Sequence, residues 1–269
     1  MRPRAFNVAL LFVVLVGCDD STGAELCIDL GLCQGPPPPP PVEVVIVIDA
    51  TPGSTGNLAI LEQLVDRALA ATEERPNSVI AVWNVGEDAR GCREVAAATV
   101  PEPPARLRAR RAYLDRTRNE LRAALVEPMT PVLAEATTYG HSEVALTLTL
   151  AGRAPRRAPT RTFLVTSDLR ERSTPTGNDI ECADLSARRF ERALARRGLL
   201  DGTFTSFDTV ELLDLGALPD IPGRRRCPTS LRRAAELREL WRTSLEAAGA
   251  RVLTPVGSPV LDFPVTLEE

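Results

Sequence analysis

The run Glu43–Asp49, EVVIVID, constrains the fold most, because Val and Ile fill every position between its two carboxylates. A short, continuous, β-branched run of this kind predicts a strand that is buried on both faces, as in a parallel sheet. A sheet of that type needs helices on both of its faces. Asp49 then marks the carboxyl end of the strand, where open α/β sheets collect their functional groups.

The remaining chain alternates strand patterns with helical patterns. Residues 78–85 and 92–100 predict two strands that pair as an antiparallel hairpin across the turn 86–91. Further strands are predicted at 160–167, 207–215 and 251–255. Helices are predicted at 57–74, 179–197 and 229–248, together with one that ends near residue 126 and one that begins near residue 142. We therefore expect an α/β fold with a mainly parallel, six-stranded, doubly wound sheet and one antiparallel edge strand.

The first 41 residues carry the marks of export and tethering. Residues 1–17 have Arg2 and Arg4, then an apolar run that is short for a membrane span, which predicts a signal peptide. The ending LVGC resembles a bacterial lipobox, which implies that Cys18 carries acyl chains such as palmitate and anchors the protein in a membrane. Residues 18–41 form a polar tether that ends in the proline run Pro36–Pro41. Residues 42–269 are then one folded domain in the bacterial cell envelope, on the periplasmic or outer side.

Charge and composition narrow the classes of partner. The formal net charge is −4 and the isoelectric point about 5.4, so no global positive field favours nucleic acid. The only histidine is His141, and the cysteine spacing fits no zinc pattern. In an oxidising compartment, Cys182 and Cys227 follow the fourth and fifth strands and are expected to form a disulfide, whereas Cys92 is expected to be a buried free thiol.

Several stretches together resemble the von Willebrand factor A domain family. They are VVIVIDATPGS at the first strand, the hairpin SVIAVWNVGEDARGCREV, the TTYG loop before a helix, FLVTSDLRE at the fourth strand, and the closing ELRELWRTSLEAAGARVLTPV. The resemblance covers about Val42 to Pro255. It implies a protein-binding domain with a metal-ion-dependent adhesion site.

That resemblance implies a set of Mg²⁺ ligands. Asp49 and Thr51 match the first two positions of the Asp-x-Ser-x-Ser loop, Thr138 (or Thr137) the loop threonine, and Asp168 the last aspartate. Gly53 occupies the third position, and Ser54 lies one residue later. Mg²⁺ prefers oxygen ligands and retains waters, so two outcomes stay open. Ser54 completes a weak site, or the metal is lost and a metal-free docking face remains.

Enzyme chemistry finds less support in the sequence. A haloacid-dehalogenase-type phosphatase would need a second carboxylate at Thr51 and a lysine, and the chain contains no lysine. No Gly-x-Ser-x-Gly elbow, phosphate-binding loop or dinucleotide fingerprint follows a strand. We therefore expect a lipid-anchored binding protein with an unidentified protein partner and not an enzyme; a metal-dependent hydrolase on the same type of sheet is the alternative.

Overall fold

The computed structural model describes residues 37–51, 57–103, 107–139, 142–167, 172–173, 178–179, 187–213 and 231–253. Its strands are β1 (Val42–Ile48), β2 (Val79–Asn84), β3 (Arg93–Thr99), β4 (Thr160–Thr166), β5 (Arg172–Ser173), β6 (Asn178–Asp179), β7 (Asp208–Leu213) and β8 (Arg251–Leu253). Its helices are α1 (Leu58–Thr72), α2 (Leu107–Val126), α3 (Met129–Ala136), α4 (Val144–Arg153), α5 (Ala187–Arg197) and α6 (Leu231–Ala247).

Within the described residues, six strands form one sheet in the order β3-β2-β1-β4-β7-β8. β1 lies at its centre and pairs in parallel with both β2 and β4. β7 and β8 continue the parallel pairing, and β3 is antiparallel to β2 at the edge. The expected fold class is therefore confirmed, and the antiparallel edge strand is the second half of the predicted hairpin. β5 and β6 form a separate two-stranded pair.

Each face of the sheet has its own apolar core, because side chains alternate along the strands. Helices α1, α2 and α3 cover the face that carries Val44, Ile46 and Ile48. Helices α4, α5 and α6 cover the opposite face, which carries Val45 and Val47. All of β1 is buried, so its continuous apolar pattern reflects helices on both sides. The carboxyl ends of the parallel strands consequently meet at one rim.

Most element ends differ from the predicted ones by a few residues, and Asn57 caps α1 as expected, accepting a hydrogen bond from the Ile60 N–H. The start of the helix predicted at 179–197 was wrong, because Asp179 lies in strand β6 and the helix begins at Ala187.

The clearest difference is α3, which was not predicted and which has Pro128 and Pro131 at its start. Proline is tolerated in the first turn of a helix, where backbone N–H groups have no helical partner. No helix among the described residues has both the length and the hydrophobicity that crossing a membrane requires.

Candidate functional site

Asp49 lies at the carboxyl end of the central strand and is fully buried. The Thr51 backbone N–H and hydroxyl donate hydrogen bonds of 3.0 and 2.6 Å to its Oδ1. The Ser167 hydroxyl donates a bond of 2.8 Å to its Oδ2, from the end of β4. The Asp49 N–H donates to the Thr166 carbonyl at 3.0 Å, which continues the parallel pairing to the very end of the strand. A single carboxylate therefore ties the ends of two adjacent strands together.

Burial controls the electrostatics of this carboxylate. Loss of hydration raises the pKa of Asp49 above its usual range, while the hydrogen bonds from Thr51 and Ser167 lower it and offset part of that rise. Both hydroxyls donate their protons to Asp49, which fixes the orientation of both groups. The cluster is a set of oxygen atoms, already assembled, at the rim of the sheet.

Ser167 was missed by the sequence analysis, which selected its neighbour Asp168 from the stretch FLVTSDLRE. The alternation of the strand could have identified it. Asp49 and Ser167 both come one residue after strands that pair Ile48 with Thr166, so they occupy the same level of the sheet. The side chain of Thr166 lies on the opposite face of the sheet from that of Ser167. Its buried Oγ1 has no hydrogen-bond partner among the described residues.

Thr138 and Thr137 follow the end of α3 and are exposed to solvent. The Thr138 hydroxyl donates to the Glu135 carbonyl at 2.7 Å, and the Thr137 hydroxyl donates to the Ala134 carbonyl at 2.7 Å. Both bonds satisfy carbonyl groups of the last helical turn. The predicted ligand role of Thr138 therefore remains a prediction.

Other predicted site residues lie outside the described residues. These are Ser54, Asp168, the lipidation residue Cys18, and the pair Cys182 and Cys227. Their predicted roles stay predictions. Cys92, by contrast, is a buried free thiol as expected.

The oxygen cluster fits the chemistry of a hard cation. Carboxylate and hydroxyl oxygens from Asp49, Thr51 and Ser167 are ligand types that Mg²⁺ accepts. Among the described residues, no group of three or more His, Cys, Asp or Glu side chains lies close enough together to hold a metal ion. A metal at this rim would therefore depend on hydroxyls and water as well as on Asp49.

No family model and no curated protein matches the chain. Solved structures do show similarity. A von Willebrand factor type A protein from Catenulispora acidiphila is 15% identical with a TM-score of 0.39, and the match covers 81% of this chain and 39% of that one. An aerotolerance-related membrane protein from Bacteroides fragilis is 15% identical with a TM-score of 0.35, covering 80% of this chain and 92% of that one. The conserved hypothetical protein BatB from Bacteroides thetaiotaomicron is 11% identical with a TM-score of 0.33, covering 82% and 92%. The chain thus spans well under half the length of the first of these structures.

Proposed function

We propose that this chain is a protein-binding module of the bacterial cell envelope and that it binds its partner at the rim of the sheet around Asp49. The single observation that supports this most is the convergence of two hydroxyls, from the ends of two neighbouring strands, on one buried carboxylate. Burying a carboxylate without a cationic partner is unfavourable. Packing of the apolar core does not require the Asp49 carboxylate, so its presence at the rim supports a role in binding.

Asp49 is fully buried, so in this proposal it does not touch the partner and instead positions the groups that do. It fixes the chain at Thr51 and at Ser167, from which the segments containing Ser54 and Asp168 continue. A rim that is held in place loses less conformational entropy when a partner binds. The proposed activity is recognition and not catalysis.

We propose that Mg²⁺ binds weakly at the same rim. Asp49, Thr51 and Ser167 would hold it, together with the predicted ligands Ser54, Thr138 and Asp168. The ion would supply a positive charge, and a carboxylate of the partner could complete its coordination shell. A metal-free docking face is the alternative, and chelation separates the two, because only the first requires a divalent cation.

A pulldown from envelope extract tests the binding function. The bait is the full chain, as wild type, as the Thr51→Val/Ser167→Ala variant, and as a Thr243→Val control. Thr243 is an exposed residue of α6 whose hydroxyl donates a 2.9 Å hydrogen bond to the Glu239 carbonyl of the same helix. We expect one partner to be captured by wild type and control and lost with the double variant. Equal capture by all three proteins would overturn the proposal. Repeating the experiment with EDTA shows whether capture needs the metal.

Attachment to the membrane is a second part of the proposal. We propose that Cys18 carries the lipid and that residues 18–41 hold the domain away from the membrane surface. Fractionation of cells that express wild type or Cys18→Ser tests it, with Cys92→Ala as the matched control because Cys92 is buried in the fold. We expect only Cys18→Ser to leave the membrane fraction. Retention of that variant in membranes would exclude the lipid anchor.

A further inference from the structure

A polar cleft of about 280 Å³ opens beside the carboxyl end of β2. One wall is the turn between β2 and β3, and the other is the end of α3. The lining residues are Asn84, Glu87, Asp88, Arg90, Gly91, Arg93, Val132, Glu135 and Tyr139. None of them belongs to the Asp49 cluster, so the cleft is a separate feature of the same rim.

Asn84 carries a buried side-chain oxygen that no described residue pairs with. Its side chain is 1% exposed, and its Nδ2 donates to the Gly91 carbonyl at 3.1 Å. That bond fixes the orientation of the amide, because a flipped amide would place two oxygens against each other. The Asn84 Oδ1 is buried and has no partner among the described residues. Buried polar atoms are nearly always paired, so this oxygen points to an absent donor.

The wall formed by α3 offers groups that a cation binds. Glu135 is exposed and makes no ion pair with any described residue, and Tyr139 presents a partly buried ring next to it. Burial, with Glu135 and Glu87 nearby, raises the pKa of Tyr139, so its phenol stays neutral. A neutral ring beside a carboxylate is a favourable environment for a guanidinium or ammonium group.

The opposite wall is a rigid turn. One carboxylate oxygen of Asp88 accepts hydrogen bonds from the backbone N–H groups of Arg90 and Gly91, at 2.8 and 2.9 Å. Arg90 and Arg93 make no ion pair with any described residue. The cleft therefore contains three acidic and two basic side chains, a net charge of −1.

We propose that this cleft receives an arginine side chain of the protein partner. The guanidinium group has five N–H donors in one plane, and in this proposal it donates to the Asn84 Oδ1 and to the Glu135 carboxylate and lies against the Tyr139 ring. An acidic residue beside that arginine in the partner would pair with Arg90 and Arg93. This inference rests on the proposed function in that the occupant belongs to a protein.

Titration of the full chain with capped tripeptides, followed by NMR, tests the inference. The probes are Ac-Gly-Arg-Gly-NH₂, its citrulline analogue, which keeps the shape and loses the charge, and Ac-Gly-Glu-Gly-NH₂. We expect the arginine peptide to cause saturable shifts of the Asn84 side-chain amide and the Tyr139 signals, with at least about fivefold weaker binding of the citrulline peptide. Equal binding of the arginine and glutamate peptides, or no shift with either, would overturn it.

Variants on the exposed wall separate binding from folding. Glu135→Gln is expected to weaken binding of the arginine peptide roughly two- to fivefold, which corresponds to the interaction energy of an exposed ion pair. Glu127→Gln, another exposed carboxylate in the turn before α3, is the control and should bind as wild type does. Asn84→Leu should weaken binding about tenfold, because a guanidinium N–H would lose its acceptor. Unchanged affinity in Glu135→Gln would contradict the inference even if Asn84→Leu failed to fold.

Two further outcomes are informative. If free arginine, a zwitterion, binds more tightly than the capped peptide, the cleft is a small-molecule site and the partner arginine is excluded. The peptide titration does not involve Thr51 or Ser167, so its failure leaves the pulldown result intact. Conversely, a pulldown that does not depend on Thr51 and Ser167 would overturn the proposed rim without affecting the peptide result.

Discussion

The hydroxyl of Ser167 donates a 2.8 Å hydrogen bond to the carboxylate of Asp49, although 118 residues separate them in the chain. The bond joins the ends of β1 and β4 at the level where the backbone pairing of the two strands stops. Together with Thr51, it gives Asp49 three hydrogen-bond donors in a buried environment. The rim therefore depends on one carboxylate.

Asp49→Ala is expected to lower the free energy of unfolding by about 3 kcal/mol, because three buried donors lose their acceptor. Urea denaturation of the full chain measures the change. Asp115→Ala, an exposed position on α2, is the control and should stay within about 0.5 kcal/mol of wild type. Equal unfolding midpoints for the two variants would show that the cluster does not stabilise the fold.

Because the Cys92 thiol is buried, we expect the protein to lose stability at alkaline pH. Its thiol is buried and directed at the Gly86 and Glu143 carbonyls, and burial raises the pKa of Cys92 to about 11 from 9.0. Between these values the unfolded chain releases a proton that the folded chain keeps, so the free energy of unfolding falls as pH rises. Relative to Cys92→Ala, we expect wild type to lose about 2 kcal/mol between pH 9 and pH 11.

Denaturation curves for both proteins, collected at several pH values in that interval, measure this difference. The pH dependence common to the two chains cancels, because every other titrating group is present in both. A difference that stays constant from pH 9 to pH 11 would show that the thiol titrates alike in the folded and unfolded chains.

Much of the fold could be predicted from the sequence because it rests on local patterns. The unbroken apolar run of β1 requires two covered faces, and the turn 86–91 joins two strand patterns that pair as a hairpin. The short helix α3 was not predicted, and Pro128 and Pro131 stand at its start, where a helix tolerates proline.

The candidate site was only partly predictable, for a different reason. Asp49 and Thr51 lie two residues apart, so the sequence shows their proximity directly. Ser167 joins them only through the register between β1 and β4, and Asn84 is notable only because its oxygen is unpaired. The hydrogen-bond partners and the burial of a side chain depend on tertiary structure, so they leave no local pattern in the sequence.

Gly86→Ala is expected to destabilise the hairpin turn that forms one wall of the cleft. A Cβ at this position would lie 2.3 Å from the Gly91 carbonyl carbon and 2.7 Å from the Cys92 nitrogen. Both are backbone atoms, so the turn itself would have to shift, at a cost of about 2 kcal/mol. Thermal unfolding of the full chain provides the measurement.

Gly202→Asn is the matched control for that substitution. Gly202 has a left-handed backbone, with φ of +57°, but no atom lies within 4 Å of an added Cβ, and asparagine tolerates this conformation. We expect a change of less than about 1 kcal/mol. If Gly86→Ala proved as mild as Gly202→Asn, the close contact between Gly86 and Gly91 would be relieved easily.

Asp208 holds a charged network at the opposite, amino end of the sheet. It is fully buried and accepts hydrogen bonds from Arg161 Nε at 3.1 Å and from Arg156 Nη2 at 2.6 Å. Arg161 is itself 3% exposed and donates to three carbonyls at the end of α4, so it cannot move to solvent easily. Removing Asp208 therefore leaves a buried guanidinium without a counter-charge.

Asp208→Ala should consequently lower the free energy of unfolding by about 3–5 kcal/mol. Arg156→Ala should cost only about 1 kcal/mol, because Arg156 is partly exposed and Asp208 retains Arg161. Asp201→Ala, at an exposed turn, is the control for loss of an aspartate. Urea denaturation ranks the three variants. A smaller loss for Asp208→Ala than for Arg156→Ala would mean that the Arg161 guanidinium regains solvent or another partner when the carboxylate is removed.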